Sequence, residues 1–274
     1  MTALVDAYDV VGFDLDGVIY RGLEAVPHAV TTIHQLQRRG LRVGFVTNNA
    51  ARSPMEVAAH LNRLGIKCTP NDVVTSAQAT AQMMSKALPP GSQVLILGSK
   101  ALRDEIAAVG LGPVTVRSSA TAAVCVGFEP SLTWDDLNQG CFAIQAGSVW
   151  YTCNDDLNRP TAEGIAIGMG GILKAMKEAL PGQAPIMAGK PARPLLDETL
   201  RRLGGTKPLF VGDRLDTDIE GANNANWDSL FVLSGSHSLP DLHKAPASQQ
   251  PTYVGQDLRA LLEAPMRYEA TDLP

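Results

Sequence analysis

Cysteine is scarce in this 274-residue chain, and its placement excludes two classes of site. Cys68, Cys125, Cys141 and Cys153 stand singly among apolar or small neighbours, and none forms a Cys-x-x-Cys pair. Neither a structural zinc site nor a disulfide framework fits that spacing; buried, reduced thiols in a cytoplasmic protein are expected instead. The five histidines show no ligand spacing either. Runs of basic residues are absent and the formal net charge is −5, so the chain lacks the footprint of a nucleic-acid binder. Long apolar runs are missing too. Val94 to Leu97 is typical, and it is far too short to span a bilayer, so no membrane association is expected. Met1 to Asp9 carries neither a basic cluster nor an apolar stretch, so no signal peptide is expected. There is no internal repeat and no low-complexity segment.

What is present is a regular alternation of short apolar runs with helical periodicity. Strands are expected at Val10 to Asp14, Leu41 to Val46, Val73-Val74, Val94 to Leu97, Ala123 to Val126, Val149 to Cys153, Leu209 to Gly212, Ser229 to Leu233 and Tyr253-Val254. Helices are expected between them: Pro27 to Arg39, one opening at Ser53-Pro54-x-Glu56, Ser76 to Leu88, Ala101 to Val109, Trp134 to Ala146, Gly171 to Leu180, Pro194 to Leu203, Ile219 to Ala225 and Leu258 to Glu263. Ser236 to Pro251, rich in Ser, Pro and Gln, reads as surface loop. Strands alternating with helices imply an α/β fold, a doubly wound parallel sheet covered on both faces.

The most informative run is Val10-Val11-Gly12-Phe13-Asp14-Leu15-Asp16-Gly17-Val18. An apolar strand ends by presenting two carboxylates one residue apart, and side chains at i and i+2 leave a strand on the same side. Like charges at close range repel, and no cation sits beside them in the sequence. A divalent cation would relieve the repulsion. So would a division of labour between a nucleophile and a proton donor. Asp-x-Asp-Gly is also a common turn sequence.

Three further polar motifs follow strands or lie in loops: Thr47-Asn48-Asn49, Gly189-Lys190-Pro191 and Gly212-Asp213-Arg214-Leu215-Asp216-Thr217-Asp218. Ligands of open parallel sheets bind outside the carboxyl ends of the strands. Taken singly, these could be a turn, an exposed loop and helix N-caps. Together they supply the parts that phosphoryl transfer needs: a nucleophile, a general acid/base, a hydroxyl and amide cradle, a fixed cation and a metal site.

This set, in this order, resembles the haloacid dehalogenase-like hydrolases over nearly the whole chain. The resemblance implies a Rossmann-like core with an inserted α/β cap. It implies Asp14 as phosphate-accepting nucleophile, Asp16 as general acid/base, Thr47 as phosphate binder and Lys190 as the cation that steadies both. It implies Mg²⁺ held by Asp14, Asp213 and the main-chain carbonyl of Asp16, with Asp218 in the outer shell. Gly17, Asn48, Asn49 and Arg159 are the implied substrate contacts. The dehalogenases of the family lack the second acid, so Asp16 favours a phosphatase.

The spacing of the motifs locates the insert. Gly17 to Thr47 holds a flap, one helix and one strand, whereas Asn49 to Lys190 leaves about a hundred residues beyond the core's needs, enough for a small domain. The expected division is a core of residues 1–80 and 186–274 with a cap of 81–185. This layout is similar to the NagD-like and p-nitrophenyl phosphatase-like group. Val126-Gly127-Phe128, Asn154-Asp155-Asp156 and Arg159-Pro160-Thr161 agree with it, while Asn226 and Cys153 depart from it. The implied activity is Mg²⁺-dependent hydrolysis of small phosphate esters: glycerol 3-phosphate, phosphoglycolate, a sugar phosphate or a nucleoside monophosphate, with p-nitrophenyl phosphate in vitro. The alternatives are a phosphotransferase on the same core and a non-catalytic phosphate-binding protein. Homodimers through the cap are compatible with the resemblance.

Overall fold

The computed structural model describes residues 2–161 and 163–268. The chain divides into two compact units. The first takes the residues up to Thr47, Pro54–Val74 and those from Lys190 onward; the second takes Asn48–Ser53 and Thr75–Gly189.

The first unit opens with β1 (Val10–Phe13), buried at all four positions. A strand apolar on both faces belongs in the middle of a covered parallel sheet. A small hairpin follows, β2 (Tyr20–Arg21) against β3 (Glu24–Ala25). Helix α1 (Ala29–Arg38) buries Ala29, Ile33 and Leu36, one stripe at helical spacing. It begins two residues later than the sequence suggests, because His28 takes a left-handed φ of 69°. Next come β4 (Arg42–Thr47), α2 (Pro54–Arg63) and β5 (Val73–Thr75).

The second unit runs through α3 (Ser76–Ala87), β6 (Gln93–Leu97), α4 (Lys100–Ala108), β7 (Gly112–Val114), β8 (Thr121–Val126), α5 (Trp134–Gln145), β9 (Val149–Thr152), the hairpin β10 (Asn158–Thr161) and β11 (Gly164–Ile167), α6 (Met169–Glu178) and β12 (Ile186–Met187). The first unit then resumes with α7 (Pro194–Leu203), β13 (Pro208–Gly212), α8 (Glu220–Ala225), β14 (Asp228–Val232), α9 (Leu239–Lys244) and β15 (Tyr253–Gly255).

Each unit has its own sheet. In the first the strand order is β15-β14-β13-β1-β4-β5, and the ladders from β15 through β4 are parallel. In the second it is β12-β9-β8-β6-β7, parallel throughout. Alternation sorts the second unit's core into two layers. Val94 and Ile96 meet Ala77, Ala81 and Met84 of α3 and Leu102 and Ile106 of α4. Leu95 and Leu97 meet Ile144 of α5 and Leu173 and Met176 of α6. Helix α3 therefore packs on the second sheet, and the boundary expected at residue 81 falls inside it.

Three expectations need correction. Ser236 to Pro251 is not simply loop: it holds α9, whose Leu242 is fully buried, and a 3₁₀ turn at Ala247–Gln249. The segment Leu258–Leu262 is a 3₁₀ helix rather than an α-helix. All four cysteines are free, but Cys68 is only half-buried. No helix among the described residues is long and apolar enough to cross a membrane.

Candidate active site

Strand β1 lies between β13 and β4, and the chain leaves it in opposite directions to reach the two. That is a topological switch point, where side chains at adjacent strand ends converge. Asp14 follows β1 directly, its N–H donating to the Val211 carbonyl at 2.9 Å. Asp213 follows β13, and Thr47, buried, closes β4.

Lys190 carries the cation into this acidic neighbourhood. Its side chain is 1% exposed, and Nζ lies 2.6 Å from Asp14 Oδ1 and 2.7 Å from Asp218 Oδ1. Asp218 sits in a single π-helical turn, Leu215–Ile219, that opens the way into α8. Its Oδ2 accepts the N–H groups of Asp213 and Arg214, each at 3.1 Å, which ties the turn back on itself. Single π-turns of this kind occur frequently at functional sites.

The charges do not balance. Asp14, Asp213 and Asp218 each offer a carboxylate oxygen, all within 4.8 Å of one another, against the single ammonium of Lys190. Burial pushes the Asp14 carboxyl well above its ordinary range, and Asp218 and Asp213 push the same way while Lys190 opposes. Burial, then the Asp218 charge, raises Asp213 to about 6, against the N–H of Ser236. Burial alone would lower Lys190, but Asp14 and Asp218 override it and hold the ammonium charged. Asp213 Oδ1 is buried with no hydrogen-bond partner among the described residues. Excess negative charge, all-oxygen donors and one unsatisfied carboxylate oxygen fit a hard divalent cation such as Mg²⁺.

Asp16 has an exposed side chain, and its backbone bridges to Tyr20. Its side chain is not in the three-carboxylate cluster. The turn that re-aims the chain is Gly17, with φ 88° and its N–H donating to the Tyr20 carbonyl at 2.8 Å. A Cβ there would strike the Asp213 carboxylate, so position 17 must be Gly for space as well as for φ.

The other expected contacts belong to the second unit. The Asn48 carbonyl accepts from Ser76 Oγ at 2.6 Å and Asn154 Nδ2 at 2.8 Å, and Asn49 Oδ1 accepts the Ala51 N–H at 2.8 Å. Arg159, on β10, is exposed, with Cζ 4.7 Å from the centre of the Phe128 ring. The structure thus brings Asp14, Lys190, Asp213 and Asp218 into direct contact. Reading the sequence missed Ser236, whose N–H holds Asp213 Oδ2 at 2.6 Å. A backbone donor leaves no side-chain signature; only the Ser-Gly-Ser run after an apolar strand hints at it.

Fold and site define the class, and the chain belongs to the haloacid dehalogenase-like hydrolases. The haloacid dehalogenase-like hydrolase profile matches residues 11–112, and a HAD-hydrolase-like profile matches residues 187–261. The chain is 44% identical over 261 residues to D-glycerol 3-phosphate phosphatase of Mycobacterium tuberculosis, covering 95% of this chain and 73% of the relative. It is 33% identical over 237 residues to a 5'-nucleotidase of Bacillus subtilis, covering 84% of this chain and 91% of the relative. The crystal structure of the M. tuberculosis glycerol phosphate phosphatase with magnesium superposes with a TM-score of 0.92 at 43% identity, covering 96% of this chain and 79% of that one.

Proposed function

We propose that this phosphoric monoester hydrolase uses Asp14 as nucleophile, with Mg²⁺ as cofactor, on small polyol or sugar phosphates. Glycerol 3-phosphate is the first candidate. The observation that carries the reading is the buried Lys190 ammonium clamped between Asp14 and Asp218, with Asp213 beside them. Asp14 is 15% exposed, the only one of the three carboxylates not fully buried. Its Oδ1 is held by Lys190, which leaves the other oxygen for attack on phosphorus.

In the first half-reaction, Asp14 forms a bond to phosphorus as the ester P–O bond breaks, and Asp16 gives its proton to the leaving alcohol. In the second, Asp16 takes a proton from water, which attacks phosphorus and frees Asp14. The exposed side chain of Asp16 suits a group that must trade protons with water and alcohol. Lys190 neutralises charge on Asp14 and the phosphoryl oxygens throughout, and Thr47 supplies a hydroxyl to the phosphate. Asp14, Asp213 and the Asp16 carbonyl would hold Mg²⁺, with Asp218 behind them. Bound there, the ion would offset the charge on the transferring group.

Substrate choice is assigned to the second unit, which contains Arg159. The relative at 44% identity is named for D-glycerol 3-phosphate, which supports a small polyol phosphate. The cytoplasm, where such esters are metabolised, is the proposed location. The test is release of inorganic phosphate from a panel of phosphorylated metabolites, with and without EDTA, ranked by kcat/KM. Preference for glycerol 3-phosphate, lost in EDTA, supports the reading. Transfer to an added alcohol without net phosphate release would make the chain a phosphotransferase. Full turnover in EDTA would remove the metal from the mechanism.

A further inference from the structure

Asp213 is gripped at both its main chain and its side chain by consecutive residues of one segment, Ser234–His237, which follows β14. The Ser236 N–H donates to Asp213 Oδ2 at 2.6 Å. The His237 N–H donates to the Asp213 carbonyl at 3.2 Å. The His237 ring reaches one turn further, where Nδ1 accepts the Leu215 N–H at 3.0 Å. At its other end, Ser234 Oγ donates to the Gly17 carbonyl at 2.9 Å, and the Ser234 carbonyl accepts from Arg21 of the β2–β3 hairpin. One short segment therefore bonds to the turn after Asp16, to the residue Asp213 and to the π-turn that carries Asp218. Between the two serines, Gly235 packs so closely on Asp213 that a Cβ would fall inside the carboxylate.

The grip is one-sided. Oδ2 of Asp213 is bonded, whereas Oδ1 is buried and has no hydrogen-bond partner among the described residues. A carboxylate pinned through one oxygen presents the other in a single direction. Metal sites gain affinity from outer partners that orient ligands in this way, typically about 10–100-fold for each partner.

We propose that Ser234–His237 is a positioning strap that holds Asp213 in its ligating orientation and thereby sets the Mg²⁺ affinity of the site. This rests on the reading of Asp213 as a Mg²⁺ ligand. His237 acts through the Leu215 N–H and the Asp213 backbone, Ser236 through its amide, and Gly235 by leaving the carboxylate room. His237 Nδ1 faces a backbone N–H, so it serves as an acceptor, a role an Asn side-chain oxygen can fill at the same reach.

The experiment is calorimetric titration of Mg²⁺ into the metal-stripped full chain, with thermal unfolding in EDTA recorded in parallel. His237→Ala should weaken Mg²⁺ binding about tenfold, and His237→Asn should recover it to within about threefold. Gly235→Ala should weaken binding at least as much; if it fails to fold, the His237 pair carries the test. Asp213→Asn separates the two layers of the argument. Lost Mg²⁺ binding in Asp213→Asn, with native affinity in His237→Ala, overturns the strap and leaves the metal site standing. Native Mg²⁺ affinity in Asp213→Asn overturns the metal-site reading, and the strap with it. A lower melting temperature in EDTA at unchanged Mg²⁺ affinity would reduce the strap to a structural tie.

Discussion

Replacing Lys190 by Met removes the ammonium from a buried carboxylate cluster and leaves an unbranched side chain one atom shorter. The structure fixes the scale of the effect. Two pairs at 2.6 and 2.7 Å vanish together. Each is worth about 6 kcal/mol of attraction at an effective dielectric of 20. The cost of burying the ammonium, several kcal/mol, vanishes as well, and removing one partner of a buried pair typically leaves a net loss of about 3–5 kcal/mol. For a chain of this size that lowers the melting temperature by on the order of 10 °C. The pH dependence is the sharper signature. Asp14 is already held above its ordinary range with Lys190 present, and losing that neighbour raises it further. A carboxyl whose folded pKa exceeds its unfolded value stabilises the fold below the unfolded pKa and loses that contribution as pH rises through the folded value. The gap between Lys190→Met and the unaltered chain should therefore be wide at pH 8 and narrow toward pH 5. Thermal unfolding in EDTA at both pH values measures it. Equal melting at pH 8, or a gap that widens on acidification, would refute the electrostatic reasoning.

Asp14→Asn should abolish turnover with the far-ultraviolet dichroism unchanged, because an amide cannot attack phosphorus; measurable steady-state phosphate release from a clean preparation counts against its role. Glu198 on α7 is 3% exposed; burial works to raise its pKa, but hydrogen bonds from Arg201 and Arg202 prevail and lower it. Its contribution is thus present above the unfolded carboxylate value near 4.3 and lost as pH falls through the lower folded value. Glu198→Gln should cost about 2 kcal/mol in denaturant unfolding at pH 7, and the difference should shrink as pH falls below the ordinary carboxylate value near 4.3. Arg159→Ala should reduce kcat/KM selectively for the best substrate while sparing p-nitrophenyl phosphate; a uniform or absent effect across the panel would leave Arg159 a surface residue.

The alternation of strands and helices was legible because runs such as Val10–Phe13 and Leu95–Leu97 are apolar enough to announce buried strands. Shorter elements were not. β7 contains Gly112 and Pro113, and β12 is two residues long, so neither fills a periodicity window. The β10–β11 hairpin exposes Ile165 and Ile167 and shows no clean alternation of buried and polar positions. Helix α6 starts at Met169 behind Gly168, which offers no capping side chain to read. Asp14 and Asp213 were visible because each directly follows an apolar strand, whereas Asp218 lies in the turn beyond and entered only through the motif that opens at Gly212. The strap was hidden because it acts largely through backbone groups. Helix α9, by contrast, carried a readable signal: Ser238 and Asp241 form a reciprocal cap, with Pro240 in the first turn.

The discontinuity of the first unit has a consequence for how the protein is made. Strand β1 pairs with β4 on one side and with β13 on the other, Val10 opposite Pro208 and Phe13 opposite Val211. All of the second sheet, Gln93 through Met187, is encoded between those partners. At about 5–20 residues per second, a ribosome delivers β13 on the order of 10 s after β1. The second sheet can close in that interval, while β1 waits with one edge unpaired. Lys190, Asp213 and Asp218 emerge after it as well. Asp14 is thus synthesised well before the partners that surround it, and no nascent chain shorter than Asp218 contains the acidic cluster.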